Sequence, residues 1–429
     1  MTRRTAIWLL VMVVALTGSC VFGDLLTVKN DNGELHLNGL IQTYYAWFEE
    51  SNATDTFELH RVELGATGTV YEKIDFAMLM ELDHSPKLLD AWVRLKYIPY
   101  VDFTFGQMWK PVTYEALTSS AELPFIEYSL PTAYLMNGEW SFKDALSNNL
   151  RSGGQGADIR AFAADVSHNP SMWDYKQEYS ILNRDVGAKV TFHVEQDDFT
   201  MFLLEGGVFN GTGINRSDDN DQKDWVGRIC LQPIKGINFF ANYTYGSYGH
   251  KALLEDPNGL DPMFGHEEFQ QYSGGLAIDF LGLDLAGEAI GMRRGYIHNQ
   301  YTDSIYEGIT STSPTSPPYH YQMVTKRMFD PDNRGYDTFG YYAYVGYKIE
   351  TGCDYFKQIE PIVRYEFLDP NLETDFNNDQ EKRLTFGLNI FILENYAKLQ
   401  LNYIWNMNDS GPDCQVADNV WGAQLQARF

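Results

Sequence analysis

The chain has 429 residues, 21% of them charged and 15% aromatic, and a formal net charge of −26. So modest a charged fraction excludes a disordered chain, and so acidic a balance argues against a nucleic-acid partner, which needs basic stripes to meet phosphates. Beyond the first 23 residues the cysteines are Cys230, Cys353 and Cys414, too scattered for a disulfide framework or a metal-ligand set.

Residues 1–23 read as a secretory signal. Arg3 and Arg4 precede the apolar run Ala6–Leu16, too short to cross a bilayer, and Val21, Phe22 and Gly23 offer a cleavage site before Asp24. Cys20 raises a lipoprotein alternative, although Leu16 lies one residue too far upstream of it. Residues 24–34 are expected to form a short periplasmic segment and 35–429 a single β domain. No later stretch suits a transmembrane helix, which leaves a soluble exported protein or a barrel that spans a membrane with strands.

From Leu35 onward the dominant period is two. Val62, Leu64, Ala66 and Val70 alternate with Arg61, Glu63, Thr67 and Thr69. Ile74, Phe76, Met78, Met80 and Leu82 alternate with Asp75, Ala77, Leu79, Glu81 and Asp83. Leu384, Phe386, Leu388, Ile390 and Ile392 do so with Arg383, Thr385, Gly387 and Asn389. At the end, Trp421, Ala423, Leu425, Ala427 and Phe429 alternate with Gly422, Gln424, Gln426 and Arg428. Each strand thus has one apolar and one polar face. The segments are long enough for a tilted bilayer crossing. Aromatic residues such as Tyr45, Trp47, Tyr97, Trp225, Tyr243, Tyr245, Trp405 and Phe429 recur near their ends, as in interfacial girdles. Short links, as at Tyr71–Lys73 and Leu281–Leu283, alternate with long polar ones, as at Lys110–Leu182 and His298–Gly335. The pattern predicts an all-β, antiparallel transmembrane barrel of sixteen strands with both ends on the periplasmic side.

"FGQMWKPVTYEALTSSAELPFIEYSLP", Phe105 to Pro131, is the most distinctive stretch. It resembles the phosphate-selective porin O and P family, in which a "GQ…K.P" strand end leads into a long third loop. "LLDAWVRLKYI", "FELHRVELGATG", "RDVGAKVTFH" and "GVFNGTG" resemble neighbouring strands of that family. The resemblance implies an outer-membrane porin of a diderm bacterium, a trimeric channel whose inward-folded third loop narrows the lumen. Phe429 resembles the C-terminal aromatic residue of bacterial outer-membrane proteins, which the barrel-assembly machinery reads. Arg61 matches the arginine-bearing second strand, with His60 where the family often has a second arginine, and Lys110 matches the lysine at the loop start.

With the polar faces inward, the basic lumen candidates are Arg61, Arg94, Lys96, Lys110, Lys189, Arg228, Arg294, Arg364 and Arg383. The acidic ones are Glu63, Asp75, Glu81, Asp83, Asp90, Asp102, Glu288 and Glu366. Thr113–Pro131 adds Glu115, Glu122 and Glu127 and no base. The constriction is therefore expected to draw on Arg61, Glu63, Asp90, Arg94, Lys110, Glu115, Glu122, Glu127, Arg228 and Arg294. Walls of mixed sign select ions weakly. Cross-strand pairing that merely stiffens the barrel is the competing role for each charge.

No nucleophile, paired-cysteine or His-Glu-x-x-His pattern points to catalysis. The expected function is passive, cofactor-free diffusion of small hydrophilic solutes or ions, anions such as phosphate among them. The alternatives are a non-conducting structural or adhesion barrel and a soluble exported β-sandwich lectin.

Overall fold

The computed structural model describes residues 27–49, 55–83, 86–137, 184–218, 222–248, 267–294, 336–353, 355–369, 372, 380–407 and 419–429. The expected signal segment, the far part of the third long connection and Cys414 lie outside them.

Eighteen strands form one sheet. They are β1 (Thr27–Asn30), β2 (Gly33–Phe48), β3 (Thr56–Val70), β4 (Ile74–Glu81), β5 (Lys87–Ile98) and β6 (Val101–Trp109). After the connection that begins at Lys110, the third loop and from here the third connection, come β7 (Arg184–Gln196), β8 (Phe199–Phe209), β9 (Asp224–Ile234), β10 (Ile237–Tyr248), β11 (Glu267–Phe280) and β12 (Leu283–Arg294). The last six are β13 (Tyr336–Tyr347), β14 (Ile349–Glu350), β15 (Gln358–Asp369), β16 (Glu381–Leu393), β17 (Ala397–Asn406) and β18 (Val420–Arg428). Two of them are short additions: β1 folds back on β2, and β14 pairs with β15 as a continuation of β13. The other sixteen pair antiparallel with their neighbours, and β13 reaches past β14 to β15. The ring closes where β18 pairs with β2, Val420 opposite Phe48 and Arg428 opposite Leu40. A closed ring has no edge strand, and it excludes the two-sheet sandwich of the lectin alternative.

Burial follows the alternation with the opposite sense to a globular domain. On β18, Gln424 and Gln426 are 1% exposed, whereas Trp421 and Leu425 are 45% and 37% exposed. On β4, Met78 is exposed, while Leu79 stands opposite Gly65 and Asp90 on the other face. Polar residues inside and apolar residues outside are the arrangement of a barrel that meets lipid outside and water within. Exposed Tyr71, Tyr97, Tyr100, Tyr347 and Tyr396 sit beside the short turns, and Trp225, Trp405 and Trp421 beside the long connections. These positions are where interfacial aromatic belts lie.

Two glycines are set by contact. Gly106, in the middle of β6, has φ +127°, and a Cβ there would stand 2.2 Å from the Ala91 carbonyl oxygen. No side chain fits this close approach, which accounts for the glycine in "FGQMW". Gly39 on β2 receives the ring of Phe429: an added Cβ would lie 2.4 Å from its Cζ. The backbones of the two residues exchange hydrogen bonds of 2.8 and 3.0 Å, so the last residue continues the closing seam.

Candidate functional site

The third connection starts where Pro111, which has no N–H to donate, ends the β6 ladder. Lys110 is fully buried. Its Nζ donates to Asp224 Oδ2 at 2.8 Å, with Asp185 Oδ2 at 3.8 Å. Asp185 also accepts from the backbone N–H groups of Val186 (2.7 Å) and Gly211 (2.6 Å). The lysine thus ties the start of the connection to the starts of β7 and β9. Its charge is spent on this pair and does not face a wet lumen.

A one-turn helix, Tyr114–Leu117, follows. Thr113 caps it, its Oγ1 accepting from Ala116 N at 3.2 Å. The Tyr114 N–H is shared between both carboxylate oxygens of Glu288 on β12 (3.0 and 3.1 Å), and its ring stacks on Phe240 of β10. Glu115 is buried. It accepts from Ser129 N (2.9 Å to Oε2) and Ser129 Oγ (2.5 Å), and from Arg364 Nη1 on β15 (3.1 Å). Burial pushes its carboxyl above the ordinary range, and Arg364 and the Ser129 donors oppose that shift. Arg364 also pairs with Glu366, which accepts from Leu130 N at 3.3 Å. Glu115 and Glu366 therefore stand at the N-terminus of the helix Leu130–Asn137, where backbone N–H groups lack intrahelical partners.

Between these helices the chain runs along a rail of inner-face side chains. Gln42 donates to Ser120 O (3.1 Å) and Gln426 to Ala121 O (3.1 Å). Lys398 and Gln400 donate to Leu123 O (2.9 and 3.1 Å). Asn389 donates to Pro124 O (2.9 Å), and Asn402 accepts from Ile126 N (2.9 Å). On β11, Gln271 and Ser273 donate to Val112 O. These eight bonds satisfy six backbone groups that a buried irregular segment would otherwise leave unpaired, at roughly 1–3 kcal/mol per group. Sequence reading took this inward face for a wet wall. The signal was present as alternating neutral amides in "AKLQLNYIW" and "VWGAQLQARF", residue types that can serve backbone carbonyls as readily as water.

The charges on β3 to β9 are arranged differently. Between β2 and β3 the register slips, so that Gln42 faces Arg61 and Thr43 faces Leu59, with His60 as the extra residue. This bulge re-aims His60. Its ring reaches Gln424 (2.5 Å) and Glu127 (3.4 Å), while Arg61 bonds Gln42 (2.8 Å) and lies 5.7 Å from the Tyr128 ring centroid. The histidine beside Arg61 is thus part of the same cluster, which its place in an alternating strand did not suggest. Glu63 accepts from Ser120 Oγ at 3.4 Å. Further along, Asp75 pairs with Lys96 (2.7 Å), Asp90 with Arg184 (3.0 Å) and Glu205 with Lys189 (2.5 Å) and Arg228 (3.7 Å). Sequence reading named Asp90 and Arg228 but missed their partners Arg184 and Glu205. Arg94 lies 4.9 Å from the Trp92 ring centroid. Glu122 and Glu127 are about half exposed, with Arg428 3.5 Å from Glu122. Arg294 ends β12, and its side chain lies outside the described residues. Among the described residues, no group of three or more His, Cys, Asp or Glu side chains is placed to hold a metal ion.

Comparison with known proteins agrees with this architecture. Residues 38–234 match the family model described as "Phosphate-selective porin O and P". No curated protein matches the chain. Salmonella typhi OmpF, in complex with daunomycin, is 12% identical, with a TM-score of 0.56 over 94% of this chain and 100% of that one. An anion-selective porin from Comamonas acidovorans is 12% identical (TM-score 0.52; 92% and 100% covered). The outer-membrane channel DcaP of Acinetobacter baumannii is 9% identical (TM-score 0.52; 94% and 100% covered). The chain has a sixteen-stranded outer-membrane porin fold that matches, through residues 38–234, the phosphate-selective porin O and P family.

Proposed function

We propose that the protein is a passive channel in the outer membrane of a diderm bacterium, through which small hydrophilic solutes and ions diffuse, anions such as phosphate among them. One observation carries the reading: residues 112–130 are fastened to the polar inner faces of β11, β12, β15–β18 and β2, while β3–β9 keep most of their charged side chains for one another. On this reading the segment is the inward-folded third loop. It closes one side of the lumen and leaves a pathway between itself and the β3–β9 wall. Nothing in such transport requires a cofactor or a covalent step. The family resemblance supports a homotrimer.

Selectivity is weak on this reading. Lys110 and Glu115 are consumed as anchors, and Asp75, Asp90 and Glu205 are neutralised by paired cations. What remains near the constriction is Arg61, Arg94 and the second of the two cations on Glu205, against Glu63, Glu127 and Glu122, the last with Arg428 3.5 Å away. Arg61→Glu should shift permeability toward cations and Glu122→Lys toward anions, read as zero-current potentials across a planar bilayer in a potassium chloride gradient. Unchanged potentials in both variants would place the constriction elsewhere. A folded barrel that never conducts would favour the structural or adhesion alternative.

Phe429, whose ring fills the space left by Gly39 at the seam, serves on this reading as the assembly signal. Phe429→Asp should leave unfolded protein in the periplasm. Normal amounts of heat-modifiable barrel from this variant would remove that role.

A further inference from the structure

We propose that the Trp92–Arg94 pair on β5 is a subsite for flat organic anions, in which a carboxylate is joined to an unsaturated ring; it rests on the channel reading above. Arg94 differs from its neighbours on the wall. Arg184 stacks on Trp109 and is paired with Asp90, and Arg364 stacks on Phe125 and is paired with Glu115 and Glu366. Arg94 stacks on Trp92, yet among the described residues no carboxylate lies within 4.0 Å of it and no hydrogen bond occupies its guanidinium. Its register neighbours explain this: Asp75 is taken by Lys96 and Thr69, and Thr104 carries no charge. None of its nitrogens is buried without a partner, so its N–H groups reach solvent.

A guanidinium lying on an indole keeps its in-plane N–H fork free, the geometry that takes a carboxylate through two parallel bonds. A ring conjugated with that carboxylate is coplanar with the guanidinium, so it extends parallel to the indole that the guanidinium covers and can stack on it in the same way. The indole is itself held. Trp92 packs against Met108, Phe209 and Val226, an apolar cluster on the inner face. An anion with an apolar body gains from both halves, the solvated fork and the indole that this cluster holds in place. Inorganic phosphate would use the fork alone.

The test uses the full-length channel in planar bilayers, with benzoate and inorganic phosphate as probes. In wild type, benzoate should reduce the chloride current at concentrations about tenfold below those at which phosphate does, a gap that corresponds to about 1.4 kcal/mol. Trp92→Leu should bring benzoate down to the level of phosphate and leave phosphate unchanged. Arg94→Gln should weaken both. Arg94→Lys retains the charge without the fork, so it should weaken benzoate severalfold while the zero-current potential in potassium chloride stays as in wild type. Heat-modifiable mobility verifies that each variant is folded. Equal blocking by benzoate and phosphate in wild type, or benzoate block untouched by Trp92→Leu, would overturn the proposal. A wild-type barrel that passes no chloride would instead overturn the channel reading on which it rests.

Discussion

Asp224→Ala should destabilise the barrel by about 3 kcal/mol, the lower end of the range for removing one partner of a buried ion pair, because a more distant carboxylate remains. Lys110 has no solvent to fall back on, since it is fully buried. Its 2.8 Å bond to Asp224 is the short one, and Asp185 at 3.8 Å would remain as the sole counter-charge. The substitution also empties the place where Asp224 Oδ1 lies close against Gly211 and Gly246, whose added Cβ atoms would stand 3.0 and 2.0 Å from it. The loss should appear as a lower urea midpoint for the detergent-solubilised barrel and as higher current noise, because the start of the third connection is freed. Asp224→Asn, which keeps the volume and one acceptor, should lose less. An Asp224→Ala barrel with the wild-type midpoint would show that the lysine is not anchored by this pair.

Met78→Arg and Leu79→Arg, one residue apart, should behave oppositely. Met78 is exposed on the outer face, so an arginine there enters hydrocarbon, at a cost of roughly 2–4 kcal/mol near the bilayer midplane. Leu79 stands on the inner face opposite Gly65 and Asp90, where an arginine meets water and a carboxylate. The first variant should fold poorly in vesicles, and the second should fold and alter conductance. Folding yield into lipid vesicles reads the difference directly, and equal yields would contradict the facing of β4.

Alternation made the barrel legible because the period of two is imposed locally, residue by residue, wherever one face meets lipid and the other water. The β4 and β18 facings, the short turns at Tyr71–Lys73 and Leu281–Leu283 and the closing seam all follow from it. The candidate site was less legible. An inward charge reads the same in sequence whether it faces water or a buried counter-ion. Lys110 and Glu115 turned out to have partners 114 and 249 residues away in the chain, and no local pattern encodes a pairing at that distance. The bulge at His60 was hidden for a related reason: it is a slip in register between two strands, not a change of residue type in one.

The most direct test of the central reading is the conductance of the purified, heat-modifiable wild-type barrel in a planar bilayer under a potassium chloride gradient. Stepwise, ohmic openings are expected, with a zero-current potential far below that of an ideally selective pore. A correctly folded barrel that gives no conductance steps would contradict the channel. One in which phosphate binds tightly enough to block the chloride current would contradict the weak selectivity read from Arg61, Glu122 and Glu127.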